Sequence, residues 1–195
     1  MPRKYPLTEL EQKAWDFAVK AHKGTTRKFG GGTPYFEHVR KVFKLVKKVD
    51  TRETLGAAAL LHDTVEDVDW VTYDLIKKEF GLEVMNLVKE LTSKGKLIDL
   101  VGKPNYLLNK MVHMSNDALI IKLCDRLQNI SDHFAASDKF RAKYYKETRF
   151  IIDGLKAQRQ LTRPQITVVN QIEGLLNMMV KRYKIATFEN FQMLS

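Results

Sequence analysis

The sequence predicts an all-α fold, an irregular helical bundle. Apolar residues recur at intervals of three and four along most of the chain, and no segment alternates apolar and polar residues as a half-buried strand would. The five prolines stand between the periodic segments and not inside them, as expected for residues that separate helices. The sequence contains no fixed-period repeat, so it does not predict a solenoid.

The first helix is predicted over residues 8–23. The Thr8 hydroxyl can cap it, and Glu11 three residues later completes a capping-box pattern. The stretch GTTRKFGGGTPYF that follows is rich in glycine and threonine, which predicts a loop ending near Pro34. This loop carries Arg27 and Lys28.

Further helices are predicted from the end of the loop to residue 185. The stretch ETLGAAALLH is small and apolar on nearly every face, which predicts a central helix surrounded by the others. Helical periodicity predicts helices over 35–48, 52–62, 71–79, 82–92, 104–114, 117–133, 138–157 and 164–185.

Length and composition suit one globular domain covering residues 1–195. Hydrophobic residues make up 44% and charged residues 29%, enough apolar material for a core. Charges interrupt the apolar residues from the start, so we expect no signal peptide, no membrane span and a cytoplasmic location. Cys124 is the single cysteine and cannot build a disulfide or a thiolate metal site, which leaves imidazole and carboxylate as candidate ligands.

The net charge of +10 favours anionic partners. Nucleic acid, an acidic membrane surface and a polyphosphorylated small molecule all fit this charge. The lysines are scattered and form no single run, so we expect most of them to solvate helix faces. Charge alone does not choose among the three partners.

The string LLHDTVEDVD places four ionisable residues directly after the apolar helix: His62, Asp63, Glu66 and Asp67. Burying such groups without partners would be costly. At helical spacing, His62 with Glu66 and Asp63 with Asp67 project from adjacent flanks of one helix end. A divalent cation such as Mn²⁺, Fe²⁺, Zn²⁺ or Mg²⁺ would reconcile these groups and could lower the pKa of a bound water.

Two ligands make a weak site, so others are expected from elsewhere in the chain. His38 lies on the second helical stretch, and Asp125 interrupts an apolar stripe. The alternative for His38 is a satisfied core histidine, and for Asp125 a salt bridge with Arg126. Asn129, one turn after Asp125, fits either a structural amide or a contact to a sugar or base.

Taken in order, RK, PYFEH, LLHDTVED and IIKLCDRLQN resemble the hydrolase domain of the RelA/SpoT family and the small alarmone hydrolases. The similarity spans roughly residues 14–157 and implies an HD-type helical fold, with C-terminal helices over 138–185 packing on this core. The chain departs from the family pattern in the glycine-rich KFGGGTPY loop and in KLCDRLQN, where the family has KLADRLHN. Because the residues outside this span are too few for the family's synthetase or regulatory domains, we expect a stand-alone hydrolase.

The resemblance implies three groups of site residues. One divalent ion, usually Mn²⁺, would be held by His38, His62, Asp63 and Asp125. Glu66 and Asp67 would be the catalytic residues. Substrate would be bound by Arg27, Lys28 and Asn129. In the helix KYYKETRFIIDGL, Tyr145 or Lys146 could contact phosphate, although surface packing is the competing interpretation.

The implied activity is removal of the 3′-pyrophosphate from (p)ppGpp, giving GDP or GTP and pyrophosphate. The nearest alternative is an HD-fold hydrolase of another nucleotide: an adenosine alarmone, the 2′-phosphate of NADPH or a nucleoside monophosphate. A third alternative is a non-catalytic module that binds nucleic acid or protein. All six candidate ligands and catalytic residues are present, which argues against such a module, and we expect a small phosphorylated nucleotide as the partner.

Overall fold

A computed structural model of the chain describes residues 6–27, 32–93, 95–132 and 136–183. Within these ranges it contains helices and no strand, so the predicted all-α class is confirmed. The helices are α1 Glu9–Ala21, α2 Tyr35–Val49, α3 Glu53–Leu61, α4 Thr64–Asp67, α5 Tyr73–Leu91, α6 Gly95–Val101, α7 Lys103–His113, α8 Asn116–Asp132, α9 Asp138–Gln158 and α10 Arg163–Tyr183.

The predicted capping box is present at the start of α1. The backbone N–H of Glu11 donates to Thr8 Oγ1 at 3.3 Å, and the backbone N–H of Thr8 donates to Glu11 Oε2 at 3.1 Å. These two bonds satisfy two of the backbone groups that a helix start leaves without partners.

The predicted break between two helices near residue 80 also occurs. Gly81 has φ 87°, a left-handed conformation that glycine adopts without a Cβ clash, and it kinks α5. Periodicity did not predict the short helices α4 and α6. Position 133 and positions 184–185, at the ends of two predicted helices, lie outside the described residues.

Helix α3 is the central helix, as predicted. Every residue from Leu55 to Leu61 is buried, and the helix packs against α1, α2, α5 and α8. An apolar helix with no polar face can be stable only when other helices cover all its sides. Because α3 lies in the middle of the bundle, His62, which follows its last residue Leu61, also starts from the interior.

A buried ion pair joins α1 to α2 beside α3. Lys47 Nζ lies 2.6 Å from Glu11 Oε1 and also donates to the Thr51 carbonyl at 2.6 Å. Both side chains are buried, so each needs the other to offset its lost hydration. Gly56 on α3 makes room for this pair, because a Cβ at that position would collide with Glu11 Oε1.

The C-terminal helices pack on this framework. Helix α10 lies against α8 and α9, and α9 lies against α7 and α8. Between α8 and α9, the buried Arg126 guanidinium donates to Glu147 Oε1 at 2.9 Å and to Thr148 Oγ1 at 2.8 Å. Among the helices described, none has a stretch long and apolar enough to cross a membrane.

Two glycine substitutions test the close packing of α3 against α1. Gly56→Ala should lower the free energy of unfolding by about 1–3 kcal/mol, because the new methyl group displaces the Glu11 carboxylate from Lys47. Gly174→Ala on α10 is the matched control, since a Cβ there meets nothing within 4 Å. It should raise stability by about 0.5–1 kcal/mol through helix propensity. Urea unfolding measures both, and a Gly56→Ala variant as stable as wild type would contradict the packing argument.

Candidate active site and metal centre

Three separate parts of the fold bring the four predicted metal ligands to one buried corner. His38 comes from α2, His62 and Asp63 from the turn after α3, and Asp125 from α8. His38 Nε2 lies 3.3 Å from Asp125 Oδ1 and 3.8 Å from Asp63 Oδ2. His62 Nε2 lies 3.0 Å from Asp63 Oδ2 and 3.9 Å from Asp125 Oδ1.

A break in the helix allows the adjacent His62 and Asp63 to face the same point. His62 keeps helical angles, but Asp63 has φ −103° and ψ −4°, and a new short helix starts at Thr64. The Thr64 hydroxyl donates to the Leu61 carbonyl at 2.8 Å and secures this turn. The helix thus ends within one residue of the predicted position, and Asp63 and Asp67 keep their predicted helical spacing, because the Asp67 backbone N–H donates to the Asp63 carbonyl at 3.0 Å.

The donor atoms of this corner fit a divalent metal ion. One ligand atom each from His38, His62 and Asp63 lies within 4.8 Å of the others. His62 Nδ1 lies 2.8 Å from the Ala59 carbonyl, which can only accept, so Nδ1 carries a proton and Nε2 is the ring nitrogen that faces the carboxylates. An imidazole whose Nδ1 is held by a backbone carbonyl and whose Nε2 faces carboxylates is the arrangement expected of a metal ligand.

The corner has a strongly negative potential. Burial lowers the pKa of His62, but Asp63 and Asp125 outweigh burial and raise that pKa to about 9. The same charges act in reverse on Asp63: burial raises its pKa, whereas His62 and the other nearby imidazole hold it well below the usual range. The two carboxylates therefore stay ionised and attract positive charge to this point.

Three further side chains hold the two carboxylates in place. Tyr35 Oη donates to Asp63 Oδ2 at 2.7 Å. Lys122 Nζ donates to Asp125 Oδ2 at 2.9 Å, and Asn129 Nδ2 donates to Asp125 Oδ1 at 2.6 Å. The alternative of an Asp125–Arg126 salt bridge does not occur, because Arg126 turns away to Glu147.

Sequence reasoning missed Tyr35 and Lys122. Tyr35 lies three residues before His38 and Lys122 three before Asp125, so each shares a helix face with a predicted ligand. This spacing was the available signal. The spacing was not recognised because Tyr35 belonged to the PY motif and Lys122 looked like one of many scattered lysines.

A cavity of about 650 Å³ opens beside this corner, a size that suits a nucleotide. Both predicted catalytic carboxylates line it and are exposed. Glu66 Oε2 accepts from the Ser93 backbone N–H at 2.7 Å, which fixes its position. Loss of hydration raises the pKa of Asp67, and the neighbouring charge of Asp63 raises it further, so Asp67 holds a proton more readily than an ordinary aspartate.

Two of the three predicted substrate residues meet on the wall of the cavity. Arg27 Nη2 donates to Asn129 Oδ1 at 2.6 Å, and its guanidinium lies 5.4 Å from the centre of the Tyr35 ring. The loop that carries Arg27 is closed by a bond from its backbone N–H to the Thr33 carbonyl at 2.9 Å. The third residue, Lys28, lies outside the described residues.

Other cavity residues were not predicted. His22 is buried, stacks on Tyr35 with ring centres 4.8 Å apart, and has a pKa that burial lowers to about 4, so it is neutral at physiological pH. The outer part of the cavity is lined by Lys103, Phe140, Lys143, Tyr144 and Glu147. Of the two phosphate-contact alternatives on α9, Tyr145 is buried in the core, whereas Lys146 is exposed and lines a neighbouring cavity.

A helical bundle that gathers two histidines and two aspartates beside an open nucleotide-sized cavity defines the HD class of metal-dependent phosphohydrolases. The HD-domain family model matches residues 14–161, and the chain belongs to this family.

Several relatives within this family are similar to the chain over most of its length. The chain is similar to guanosine-3′,5′-bis(diphosphate) 3′-pyrophosphohydrolase MESH1 of Homo sapiens, with 36% identity over 122 residues, 62% of this chain and 67% of that protein. It is 31% identical to MESH1 of Mus musculus over 170 residues, 84% of this chain and 94% of that protein. A solved structure of a metazoan SpoT ortholog that hydrolyses ppGpp matches with a TM-score of 0.72 and 26% identity, covering 88% of this chain and 97% of that one.

Removal of one hydroxyl tests the support of the metal corner. Tyr35→Phe deletes the donor to Asp63 and should weaken binding of Mn²⁺ by about 10–100-fold, the range typical for partners that orient metal ligands. Tyr73→Phe on α5, which is not among the residues that line the cavity, is the matched control and should leave the affinity unchanged. Isothermal titration of Mn²⁺ into the metal-free protein measures both, and equal affinities in the two variants would contradict the assigned role of Tyr35.

Proposed function

We propose that this protein removes the 3′-pyrophosphate of (p)ppGpp, producing GDP or GTP and pyrophosphate. The observation that carries the proposal is a cavity lined by Glu66, Asp67, Arg27 and Asn129 next to the ligand corner, since the lining residues Tyr35 and Asn129 bond directly to Asp63 and Asp125. The named activity of MESH1, which the chain resembles along most of that protein's length, supports the same substrate. We further propose that residues 1–195 form a single hydrolase domain that acts in the cytoplasm.

The metal ion is held by His38, His62, Asp63 and Asp125 in this proposal, and Mn²⁺ is the ion we expect. Imidazole and carboxylate together suit Mn²⁺ among the divalent metals. Such an ion lowers the pKa of water and polarises a phosphoryl oxygen. Tyr35 and Lys122 keep Asp63 and Asp125 ionised and correctly oriented, so the protein pre-organises the ligands before any substrate arrives.

Proton handling falls to Glu66 and Asp67. Glu66 and Asp67 are neighbours in sequence and lie beside the ligand corner. Both line the cavity and not the corner itself. Glu66, anchored by the Ser93 N–H, accepts the proton of the attacking water. Asp67, with its raised pKa, donates a proton to the ribose 3′ oxygen as the bond from that oxygen to phosphorus breaks, so that GDP or GTP leaves with a 3′-hydroxyl and pyrophosphate keeps the oxygen of the water.

Arg27 and Asn129 bind the nucleotide. The Arg27 guanidinium presents several donors in one plane, which suits phosphate oxygens. Its contact with Asn129 holds both side chains at the same edge of the cavity. Asn129 also touches Asp125, so a substrate contact at its amide is linked directly to the position of a metal ligand.

A panel of phosphorylated nucleotides tests the substrate. Purified protein with Mn²⁺ should release pyrophosphate from ppGpp and pppGpp. Under the same conditions it should release far less product from adenosine alarmones, NADPH or nucleoside monophosphates. Phosphate-specific chromatography of the products measures the outcome. If the protein binds Mn²⁺ but leaves ppGpp intact, the proposed substrate is wrong.

Two substitutions separate proton transfer from metal binding. Glu66→Gln should lower kcat by about 10²–10⁴-fold with unchanged Mn²⁺ affinity, because it removes a proton acceptor and no ligand. Asp125→Ala should weaken Mn²⁺ binding by more than about 100-fold, beyond the effect of losing an outer partner. Kinetics at saturating Mn²⁺ and direct metal titration distinguish the two effects. Full turnover in Glu66→Gln at neutral pH would contradict the division of roles.

A further inference from the structure

A single peptide group connects α7 to the proposed proton acceptor, Glu66. This peptide lies just after α5 and consists of the Thr92 carbonyl and the Ser93 N–H. Lys110 Nζ on α7 donates to the carbonyl at 2.6 Å. The N–H on the opposite edge of the same peptide donates to Glu66 Oε2 at 2.7 Å. Lys110 and Glu66 therefore bind the two ends of one peptide dipole.

The planarity of the peptide makes these two hydrogen bonds depend on each other. In a trans peptide the C=O and N–H groups share one plane and point in opposite directions. A carbonyl that is held toward Lys110 therefore leaves the Ser93 N–H directed at Glu66, and rotation of the peptide would break both bonds together. The cation at the carbonyl also polarises the peptide, which strengthens the N–H as a donor.

Lys110 holds this end of α5 through more than one contact. Its Nζ also donates to the Leu91 carbonyl at 2.9 Å, so it satisfies two of the carbonyls that a helix end leaves without partners. The ammonium group lies 5.8 Å from the centre of the Tyr106 ring, within the range of a cation–π contact. Lys110 is half-buried and is not among the described residues that line the cavity, so it acts on the site from outside.

Glu66 depends on an anchor from outside its own helix. It lies on α4, which is only four residues long, and its side chain is exposed at the cavity. An exposed glutamate has several rotatable bonds, so without a partner its carboxylate samples many positions. A proton acceptor must instead lie within hydrogen-bond reach of the proton that it removes. The Ser93 N–H provides this restriction, and its direction is set by Lys110.

We infer that Lys110 is a positioning residue for catalysis: through the Thr92–Ser93 peptide, it holds the Glu66 carboxylate where that group accepts the proton of the attacking water. The inference rests on the proposed function and adds to it a residue that lies outside the cavity lining. Because Lys110 acts through Glu66, it affects the chemical step and not the binding of nucleotide or metal.

Replacement of Lys110 tests this role. Lys110→Met removes the charge and the donors but keeps a long unbranched side chain. It should lower kcat for pyrophosphate release from ppGpp by about 10–100-fold, because the Glu66 carboxylate is no longer held at the water. KM for ppGpp and the affinity for Mn²⁺ should not change. Lys110→Arg keeps the charge and the donors and should recover most of the activity.

Lys89→Met is the matched control. It removes the same charge from an exposed position in the last turn of α5 and should leave kcat unchanged.

A double variant separates positioning from general damage to the fold. In Glu66→Gln the proton acceptor is already absent, so its position no longer matters, and the addition of Lys110→Met should leave kcat at the value of Glu66→Gln alone. If Lys110→Met lowers kcat by the same factor in both backgrounds, its effect does not pass through Glu66, and the inference is wrong. Wild-type kcat in Lys110→Met would overturn it as well.

A measurement by NMR does not depend on turnover. The Ser93 amide proton should move upfield in Lys110→Met, because its hydrogen bond to Glu66 weakens, and should keep its position in Lys89→Met. An unchanged Ser93 shift in Lys110→Met overturns the inference while the proposed function stands. If no nucleotide releases pyrophosphate, the proposed function fails, and the Ser93 shift alone then supports or overturns the placement of Glu66 by Lys110.

Discussion

The structure depends on one electrostatic constraint: two carboxylates and two imidazoles share one corner, where each imidazole Nε2 lies 3.0–3.9 Å from an oxygen of both carboxylates. Two carboxylates in such a corner repel each other and lose hydration, so the corner is stable only with compensating positive charge or donors. Tyr35, Lys122 and Asn129 provide part of this compensation. A divalent cation held among the four side chains would supply further positive charge at this point.

The rest of the fold keeps the corner rigid. Helix α3 carries no polar side chain from Leu55 to Leu61, so burial of this stretch on all sides fixes the position of His62. The Glu11–Lys47 pair and Gly56 lock α1, α2 and α3 together, and α2 also carries His38. This packing thereby sets the distance between His38 and His62, since α2 cannot shift without breaking the buried Glu11–Lys47 pair and Gly56 on α3 lies directly against Glu11.

Local sequence signals made much of the fold predictable. The capping box at Thr8, the break at Gly81 and the apolar run before His62 each depend on neighbouring residues, and each was predicted correctly. The failures have a different physical origin. Periodicity cannot reveal the φ and ψ of a single residue, so the turn at Asp63 was missed. Partners far apart in the chain were missed for a similar reason: Tyr35 and Asp63 are separated by 28 positions, and Arg126 and Glu147 by 21. The HD resemblance supplied what spacing could not, namely that His38 and Asp125 converge on the same corner.

Charge is distributed unevenly over the described part of the fold. A net charge of +10 spread over the surface would attract any polyanion without choosing a direction. Lysines that looked scattered in sequence gather beside one cavity, because α9 presents three of them on one face and the start of α7 adds a fourth. The carboxylates gather at the metal corner instead, where an anion can approach only if a metal ion reverses the local charge. The fold therefore separates charges that are mixed along the sequence, and the approach of an anion to the reacting position depends on the metal ion as much as on the surface lysines.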